Sequence, residues 1–392
     1  MKEKSKEKNI FDYINWRSDL SFNQDSLNKV DILMLSMLSL LDFDGVINND
    51  LVNLKTASDK LFKGKKAKDL ELGLIIPKTI FLMFKNMSLS NRWKDIFLSD
   101  YINDISIDDN EQISALTFHI NDNIIITFSG TDDTIIGWKE NFMMIYDKEV
   151  PSEKKAVDYL NNIALKYSDK KIYIAGHSKG GHLAVYSAVN AKKEVKNRIE
   201  HVYSFDGPGQ NEVEVKKILL DNMESKITTI IPQASTVGRL FNHLEEVKII
   251  YSTQTSFFQH DPYSWCIMGN DFVYTTDENI DSINLNNKIN EVLLGMSIDE
   301  RRQMVESLYE LLSYNDTKSL TSLYKKRNTL FSIYLKMPKI KRDSIFKPFY
   351  KLLKDKSAQK TIFETIRIYV MESKRTHEFD KLLDTKLNTD NE

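Results

Sequence analysis

Cysteine is almost absent from this chain, since Cys266 is the only one among 392 residues. A single cysteine excludes an internal disulfide framework and any metal site built from several thiolates. The seven histidines do not show the spacing with cysteine or carboxylate residues that is typical of metal motifs. We therefore expect no bound metal and no metal-dependent chemistry.

Long apolar segments are also missing. The longest run, residues 32–41, is too short to span a bilayer and has the spacing of a buried core helix. The first nine residues are charged, and no apolar segment follows them at once. We therefore expect neither a signal peptide nor a membrane span, and we predict a cytoplasmic protein.

The sequence shows no sign of nucleic-acid or nucleotide binding. Its net charge of −2 argues against nucleic acid as the main partner. It contains neither a P-loop nor a dinucleotide-binding fingerprint, so we expect no nucleotide and no other cofactor. A hydrophobic content of 41% argues against wholesale disorder, and the length suffices for two or three domains.

The most informative segment, residues 171–188, combines a strand pattern, a glycine-flanked serine and an alanine-rich helix pattern. Gly176, Ser178 and Gly180 fit the G-x-S-x-G pattern of a nucleophile elbow. Such a sharp turn strains the serine backbone and leaves room only for glycine two residues before and two residues after the serine. It lifts the hydroxyl clear of the sheet at the positive end of a helix, where an oxyanion is stabilised. The segment predicts a serine hydrolase with Ser178 as nucleophile.

Strand and helix patterns alternate around this segment. We predict a β-hairpin and then four further strands, at residues 113–120 and 124–128, and at 171–175, 201–205, 226–231 and 247–253. Helical patterns between most of these strands indicate an α/β fold with a mostly parallel sheet. We expect residues 66–110 to be mostly helical. Residues 280–376 show only helical patterns, which suggests a first domain at 1–279 and a helical C-terminal region at 280–392.

A serine nucleophile needs a base, and the base needs an orienting acid. In a parallel sheet such groups gather at the carboxyl ends of the strands, and the histidine of an elbow-type hydrolase follows the last core strand. His260 satisfies this order better than His243, which we place in a predicted helix. Asp206 directly follows a predicted strand and is our candidate acid. Asp261, beside His260, remains the alternative.

The oxyanion formed during acyl transfer needs two positioned donors. One is the backbone N–H of the residue after the nucleophile, which is Lys179. We expect the other from the loop at residues 128–133, where Gly130 allows a close backbone approach and Thr131 offers both its N–H and its hydroxyl.

These motifs together resemble a known family. Gly176-His-Ser-Lys-Gly-Gly181, Phe128-Ser-Gly-Thr131 and Trp138 are similar to the elbow and oxyanion motifs of class 3 (fungal-type) lipases. The wider set, from Asn9 to Trp265, resembles the related Mbeg-like bacterial α/β hydrolases. The resemblance implies an α/β-hydrolase fold and cofactor-free hydrolysis of acyl or lipid esters.

The chain departs from the lipase pattern at two positions. Class 3 lipases carry their acid in a stretch that corresponds to residues 235–240, where this chain has Ser235 in place of aspartate. This departure favours Asp206, one strand earlier. In addition, Ser129 replaces the arginine of the oxyanion motif.

The C-terminal region is strongly basic. Residues 301–375 contain 18 Lys+Arg against 7 Asp+Glu, an excess of +11, so the rest of the chain sums to −13. Lysines here alternate with apolar residues, as on a helix that contacts an anionic membrane. A solvated helical face is the alternative interpretation, and we expect Pro348 to interrupt the helix.

Two functional hypotheses follow. The first is a lipase- or esterase-like serine hydrolase that forms an acyl-enzyme on Ser178. The second is a weakly active or inactive hydrolase scaffold that serves as a membrane- or protein-binding module. Thioester or amide hydrolysis would use the same residues as ester hydrolysis, and the sequence does not separate them.

Overall fold

The computed structural model describes residues 7–47, 50–73, 76–356, 358–360 and 382–387. The main helices in these residues are α1 (Ile10–Arg17), α2 (Lys29–Leu38), α3 (Leu54–Phe62), α4 (Thr79–Ser88), α5 (Ile135–Met143), α6 (Pro151–Lys166), α7 (Lys179–Asn190), α8 (Lys193–Arg198), α9 (Glu212–Leu220), α10 (Ile280–Leu294), α11 (Ile298–Leu312), α12 (Leu320–Lys325), α13 (Arg327–Lys336) and α14 (Lys339–Leu353). The strands are β1 (Val52–Asn53), β2 (Phe97–Ser106), β3 (Glu111–Ile120), β4 (Asn123–Phe128), β5 (Lys171–His177), β6 (Ile199–Phe205), β7 (Ile227–Pro232), β8 (Glu246–Ile250), β9 (Ile267–Met268) and β10 (Asp271–Phe272).

Strands β1 to β8 form one sheet in the order of the chain. Neighbours from β1 to β4 are antiparallel, and neighbours from β4 to β8 are parallel. The predicted hairpin corresponds to β3 and β4, and the four predicted strands correspond to β5 to β8. The predicted α/β-hydrolase fold, with helices in the C-terminal region, is therefore confirmed. The domain boundary at residue 279 remains a prediction.

Helices cover both faces of the sheet because alternate side chains of each strand point to opposite sides. Ile125 belongs to the apolar core beneath α1, α2 and α4. Its neighbours Ile124 and Ile126 belong to the core beneath α6 and α7. Helix α2, which contains most of the apolar run 32–41, is buried almost all round, as predicted. Among the described residues, no helix is long and apolar enough to cross a membrane.

The prediction that residues 66–110 are mostly helical is wrong for β2. Helix α4 lies in this range, residues 74–75 fall outside the described residues, and Phe97–Ser106 form a strand. This strand contains aspartate and asparagine, which are rare in strands, so its local sequence does not indicate one. It forms because it pairs with β3, with a register shift after Ser99. A partner distant in sequence therefore overrides local preference.

Two smaller predictions are also corrected. His243 does not lie in a helix, since a short 3₁₀ helix ends at Arg239 and a loop follows. Pro348 does not interrupt its helix, because α14 continues through it to Leu353. Helix α14 is held against α11 by contacts such as the 3.1 Å hydrogen bond from Ser344 Oγ to Ser307 Oγ. Such packing compensates for the backbone hydrogen bond that proline cannot make.

The register of the parallel strands brings their carboxyl ends to one edge of the sheet. Phe128 of β4 lies opposite Gly176 of β5. His177 of β5 lies opposite Phe205 of β6, which in turn lies opposite Ile230 of β7. The segments that follow these strands are therefore neighbours, and they contain Ser178, Asp206, Thr131 and Lys179. His260 and Asp261 come from the segment after β8.

Candidate active site

Ser178 occupies the sharp turn between β5 and α7. Its backbone has φ 58° and ψ −128°, a conformation that residues with a side chain rarely adopt. The turn is fixed on both sides, because Ser178 N donates to Phe205 O at 2.9 Å and Gly181 N donates to Ser178 O at 2.9 Å. The strained serine backbone predicted from the sequence is thus present in the structure.

The flanking glycines are required by close backbone contacts. A Cβ on Gly176 would lie 2.1 Å from the carbonyl carbon of Gly180, and a Cβ on Gly180 would lie 2.1 Å from Phe128 O. No side chain fits at such distances. Helix α7 therefore packs directly against β4 and β5, and this packing fixes the position of Ser178.

Asp206 and His260 form a hydrogen-bonded pair. Asp206 directly follows β6, is 1% exposed, and its Oδ2 accepts a hydrogen bond from His260 Nδ1 at 2.6 Å. A carboxylate can only accept a hydrogen bond, so the proton of the neutral His260 ring lies on Nδ1. Nε2 is then unprotonated and can take up a proton. The His260 side chain is 20% exposed, so that solvent and ligands can reach it.

The alternative acid, Asp261, has a different partner. Its Oδ1 accepts a hydrogen bond from Tyr263 N at 3.1 Å, which caps the short 3₁₀ helix Pro262–Ser264. Of the two aspartates left open by the sequence, Asp206 is the one bonded to His260 Nδ1.

Ser235 supports the acid in a way that the sequence did not reveal. Its hydroxyl donates to Asp206 Oδ1 and accepts from Gly238 N at 2.9 Å. Both carboxylate oxygens of Asp206 are therefore hydrogen-bonded, one to serine and one to histidine. Ser235, which stands where class 3 lipases have aspartate, thus contacts the Asp206 carboxylate after the neighbouring strand.

The loop after β4 passes against the elbow. A Cβ on Gly130 would lie 3.1 Å from His177 O and 3.4 Å from Ser178 Cβ. Next to it, Thr131 Oγ1 accepts a hydrogen bond from Asn141 Nδ2 at 2.6 Å. Lys179 is the first residue of α7, so its N–H has no carbonyl partner within the helix. Of the two predicted oxyanion residues, Lys179 directly follows Ser178, and Thr131 directly follows Gly130, which packs against Ser178.

Comparison with known proteins identifies the family. A family model described as Mbeg1-like matches residues 87–310, more than half of the chain and the whole of this site. The chain belongs to the Mbeg1-like family. The resemblance to this family seen in the sequence is thus confirmed.

Three similar solved structures are lipases. Lip2 lipase from Yarrowia lipolytica is 13% identical, with 47% of this chain and 72% of that chain covered and a TM-score of 0.31. M37 lipase is 14% identical, with 54% and 68% covered and a TM-score of 0.33. The lipase from Rhizopus microsporus var. chinensis is 13% identical, with 57% and 76% covered and a TM-score of 0.29. A search of curated protein sequences finds no match.

His177 in this Mbeg1-like protein holds the backbone of His260. Its Nε2 donates to His260 O at 2.9 Å, and the two rings lie 4.5 Å apart between centroids. Burial, and secondarily the neighbouring His260 ring, keep the pKa of His177 well below its ordinary value of 6.5. His177 is therefore neutral, and its ring positions the backbone of His260.

This neutral histidine should make the folded state sensitive to acid. In the unfolded chain His177 takes up a proton near pH 6.5, whereas in the folded chain it stays neutral. The free energy of unfolding is therefore highest above pH 6.5 and decreases as the pH falls below that value. His177→Gln keeps an N–H donor but cannot titrate. Urea unfolding at several pH values should show a shallower loss of stability for the variant, by up to about 1.4 kcal/mol per pH unit. Identical slopes would contradict this assignment.

The side chain of Lys179 points away from the site into a buried ion pair. Its Nζ pairs with Glu140 of α5 and donates to Gln112 O at 2.6 Å. Glu140 also accepts from Gln112 N at 3.0 Å and from Ser152 N at 2.8 Å. The residue after the nucleophile is thus tied to the helix that follows the Thr131 loop. The sequence did not predict this link.

Removal of Lys179 should cost far more stability than removal of a surface lysine. Lys179→Met leaves the Glu140 carboxylate buried without its cation, which typically costs about 3–5 kcal/mol. The control is Lys166→Met, because Lys166 pairs with Asp100 at 2.6 Å but is 42% exposed. Exposed pairs contribute up to about 1 kcal/mol. Equal unfolding free energies for the two variants, measured in urea, would refute the structural importance of the buried pair.

Proposed function

We propose that this protein is a serine hydrolase that cleaves carboxylic esters, with acyl or lipid esters as substrates, through an acyl-enzyme intermediate. The main support is the combination of a strained serine and a hydrogen-bonded histidine–aspartate pair at one edge of the sheet. Ser178 has φ 58°, and His260 Nδ1 lies 2.6 Å from Asp206 Oδ2. A serine of this kind becomes nucleophilic when such a histidine removes its proton.

In the proposed reaction, Ser178 Oγ attacks the ester carbonyl carbon while His260 Nε2 takes the hydroxyl proton. Asp206 accepts the Nδ1–H bond and stabilises the positive charge that forms on the ring. The carbonyl oxygen becomes negative and accepts hydrogen bonds from the Lys179 N–H and from Thr131. The bond to the alcohol breaks, and the alcohol leaves with the proton from His260. Water, deprotonated by His260, then attacks the acyl carbon, the bond to Ser178 Oγ breaks, and His260 returns the proton to Oγ as the carboxylic acid leaves.

In the described part of the chain, the Ser178 hydroxyl makes no hydrogen bond to another residue. Catalytic hydrogen bonds are often long without a ligand and shorten when the substrate binds. We therefore expect a hydrogen bond from Ser178 Oγ to His260 Nε2 in the substrate complex.

A panel of 4-nitrophenyl esters with short, medium and long acyl chains tests the proposal, together with matched thioesters and anilides. We expect ester hydrolysis above background with a preference for one range of chain length. Hydrolysis of anilides or thioesters without hydrolysis of esters would assign a different substrate class. No hydrolysis by the folded protein in either aqueous or detergent solution would contradict the proposal.

The surface of α13 and α14 favours a second candidate function, a hydrolase scaffold that docks on an anionic membrane. Several large apolar side chains are about half or more exposed there, namely Phe331, Leu335, Ile340, Phe346, Phe349 and Tyr350. Exposed lysines at 347, 351 and 354 lie among them. Residues 361–375 of the basic segment fall outside the described residues.

Vesicle flotation tests the membrane candidate. We expect binding to vesicles that contain phosphatidylserine, and loss of binding when Lys347, Lys351 and Lys354 are all changed to glutamate or when salt is raised. Equal binding of the variant, or equal binding to neutral phosphatidylcholine vesicles, would contradict it.

A further inference from the structure

The start of α10 holds the turn that follows β7. Three consecutive carbonyl groups of this turn accept hydrogen bonds from the beginning of the helix: Gln233 O from Asn279 N at 3.0 Å, Ala234 O from Ser282 Oγ at 3.1 Å, and Ser235 O from Asn286 Nδ2 at 3.3 Å. Ser282 and Asn286 are buried. The backbone of this turn is therefore fixed by residues from the C-terminal region.

The same turn holds both members of the acid–base pair. Ser235 Oγ donates to Asp206 Oδ1. Ala234 N donates to Gln259 Oε1 at 2.7 Å, and Gln259 directly precedes His260. A displacement of the turn would therefore move the acid and the histidine together.

A second C-terminal segment, residues 318–321, holds the loop of the other predicted oxyanion donor. Its backbone pairs with the start of α5, with Ser319 bridged to Thr134 in antiparallel fashion. The hydrogen bonds run from Ile135 N to Lys318 O at 2.9 Å, from Leu320 N to Asp133 O at 2.8 Å, and from Thr321 N to Asp133 Oδ2 at 3.2 Å.

This pairing is transmitted to Thr131 through a compact turn. Asp132 Oδ1 accepts from Thr134 N at 2.8 Å and also from the Thr134 hydroxyl. Thr134 Oγ1 accepts from Gly137 N at 3.1 Å and so caps α5. Asn141 of the same helix donates to Thr131 Oγ1 at 2.6 Å. Segment 318–321 thus fixes a turn that begins next to Thr131.

Helix α11 lies in the chain between residues 279–286 and 318–321, and it also contacts α5 and the residues that follow α5. Arg301 Nη1 donates to Ile145 O at 2.9 Å, just after α5. Lys139 of α5 pairs with Glu306 of α11 at 3.0 Å. The C-terminal region therefore contacts both sides of the candidate site with one continuous stretch of chain.

We propose that residues 279–286 and 318–321, here called the C-terminal clasp, are positioning elements of the active site. The first part fixes the Asp206–His260 pair, and the second fixes the Thr131 oxyanion donor. The clasp touches neither substrate nor reacting atoms and acts through hydrogen bonds to the two loops that carry the site residues. This inference rests on the proposed ester hydrolase function and assigns to the C-terminal helices a part in that reaction.

Leu320→Pro removes a single hydrogen bond of the clasp. Leu320 is the first residue of α12, a position that suits proline because its N–H has no partner within the helix. The preceding residue, Ser319, has φ −133° and ψ 153°, the extended backbone that proline requires before it. The substitution therefore removes the N–H that bonds to Asp133 O and preserves α12. Leu320→Ala is the matched control, because it loses the same side chain but keeps the N–H.

We expect kcat for the best ester of the panel to fall about tenfold in Leu320→Pro relative to Leu320→Ala, with KM unchanged within about twofold. Loss of a direct oxyanion donor costs about 10²–10³ in rate, and a donor displaced through a neighbouring turn should cost less. A positioning role affects kcat, whereas a merely structural role would lower the melting temperature and leave kcat of the folded fraction intact. Equal kcat values in the two variants would overturn the assignment of segment 318–321.

Asn286→Leu tests residues 279–286 of the clasp, and this test does not depend on whether Leu320→Pro folds. It removes the donor to Ser235 O with little change in volume, and Asn287→Leu, at an exposed position of the same helix, is the control. We expect a similar fall in kcat for Asn286→Leu alone, and an unchanged kcat would overturn the assignment of residues 279–286. A wild-type protein that hydrolyses no ester would refute the proposed function, whereas an active wild type with unaffected clasp variants would refute only this inference.

Discussion

Ser178→Ala should lower kcat for ester hydrolysis by about 10⁶-fold, because loss of the nucleophile removes the acyl-enzyme route altogether. Any residual rate would come from the oxyanion donors and from substrate binding. Alanine keeps a Cβ at the strained position with φ 58°, so the backbone of the elbow should be preserved. The melting temperature should therefore stay close to the wild-type value while activity disappears.

Ser187→Ala provides the matched control for this result. Ser187 lies in the same helix, is fully buried and donates to Ala184 O at 3.1 Å, far enough along α7 to leave the elbow intact. It should retain nearly full activity. Undiminished hydrolysis by Ser178→Ala would exclude Ser178 as the nucleophile and would point to a contaminating enzyme or to another residue.

Asp206→Asn should lower kcat by about 10⁴-fold with little change in KM. The asparagine amide would donate to His260 Nδ1, which fixes the opposite tautomer and leaves Nε2 protonated and unable to act as a base. Asp206 is buried, and both its oxygens are hydrogen-bonded, so no solvent ion can take over its charge. The measurement is steady-state kinetics on the best substrate of the ester panel.

Asp261→Asn discriminates between the two aspartates that the sequence left open. Asparagine is also a good helix cap, so the hydrogen bond from Tyr263 N should persist. We expect less than about a tenfold effect, since loss of a contact outside the reacting groups costs little transition-state stabilisation. A larger loss for Asp261→Asn than for Asp206→Asn would assign the acid to Asp261.

The elbow could be predicted from sequence because its causes are local. The glycines at 176 and 180 and the serine between them lie within five residues, and the close contact between Gly176 and Gly180 lies within that turn. The order of the strands along the chain then placed Asp206 and His260 at the same edge of the sheet. Their pairing at 2.6 Å agrees with that expectation.

Other features escaped prediction because they depend on partners distant in sequence. Strand β2 forms through pairing with β3 against its own composition. The Lys179–Glu140 pair joins residues 39 positions apart, and Ser235 bonds to Asp206 across 29 positions. The clasp contact between Thr321 and Asp133 spans 188 positions. No periodicity or motif within a short window of sequence records such contacts.

The most direct test of the central claim is labelling with a fluorophosphonate, which reacts covalently with activated serine hydroxyls. Intact-protein and peptide mass spectrometry should show one adduct per molecule, located on Ser178, and none in Ser178→Ala. Labelling should be slowed strongly in Asp206→Asn, since the probe needs the same base as the ester. A folded wild-type protein that stays unlabelled, with and without detergent or vesicles, would contradict the assignment of Ser178 as an activated nucleophile.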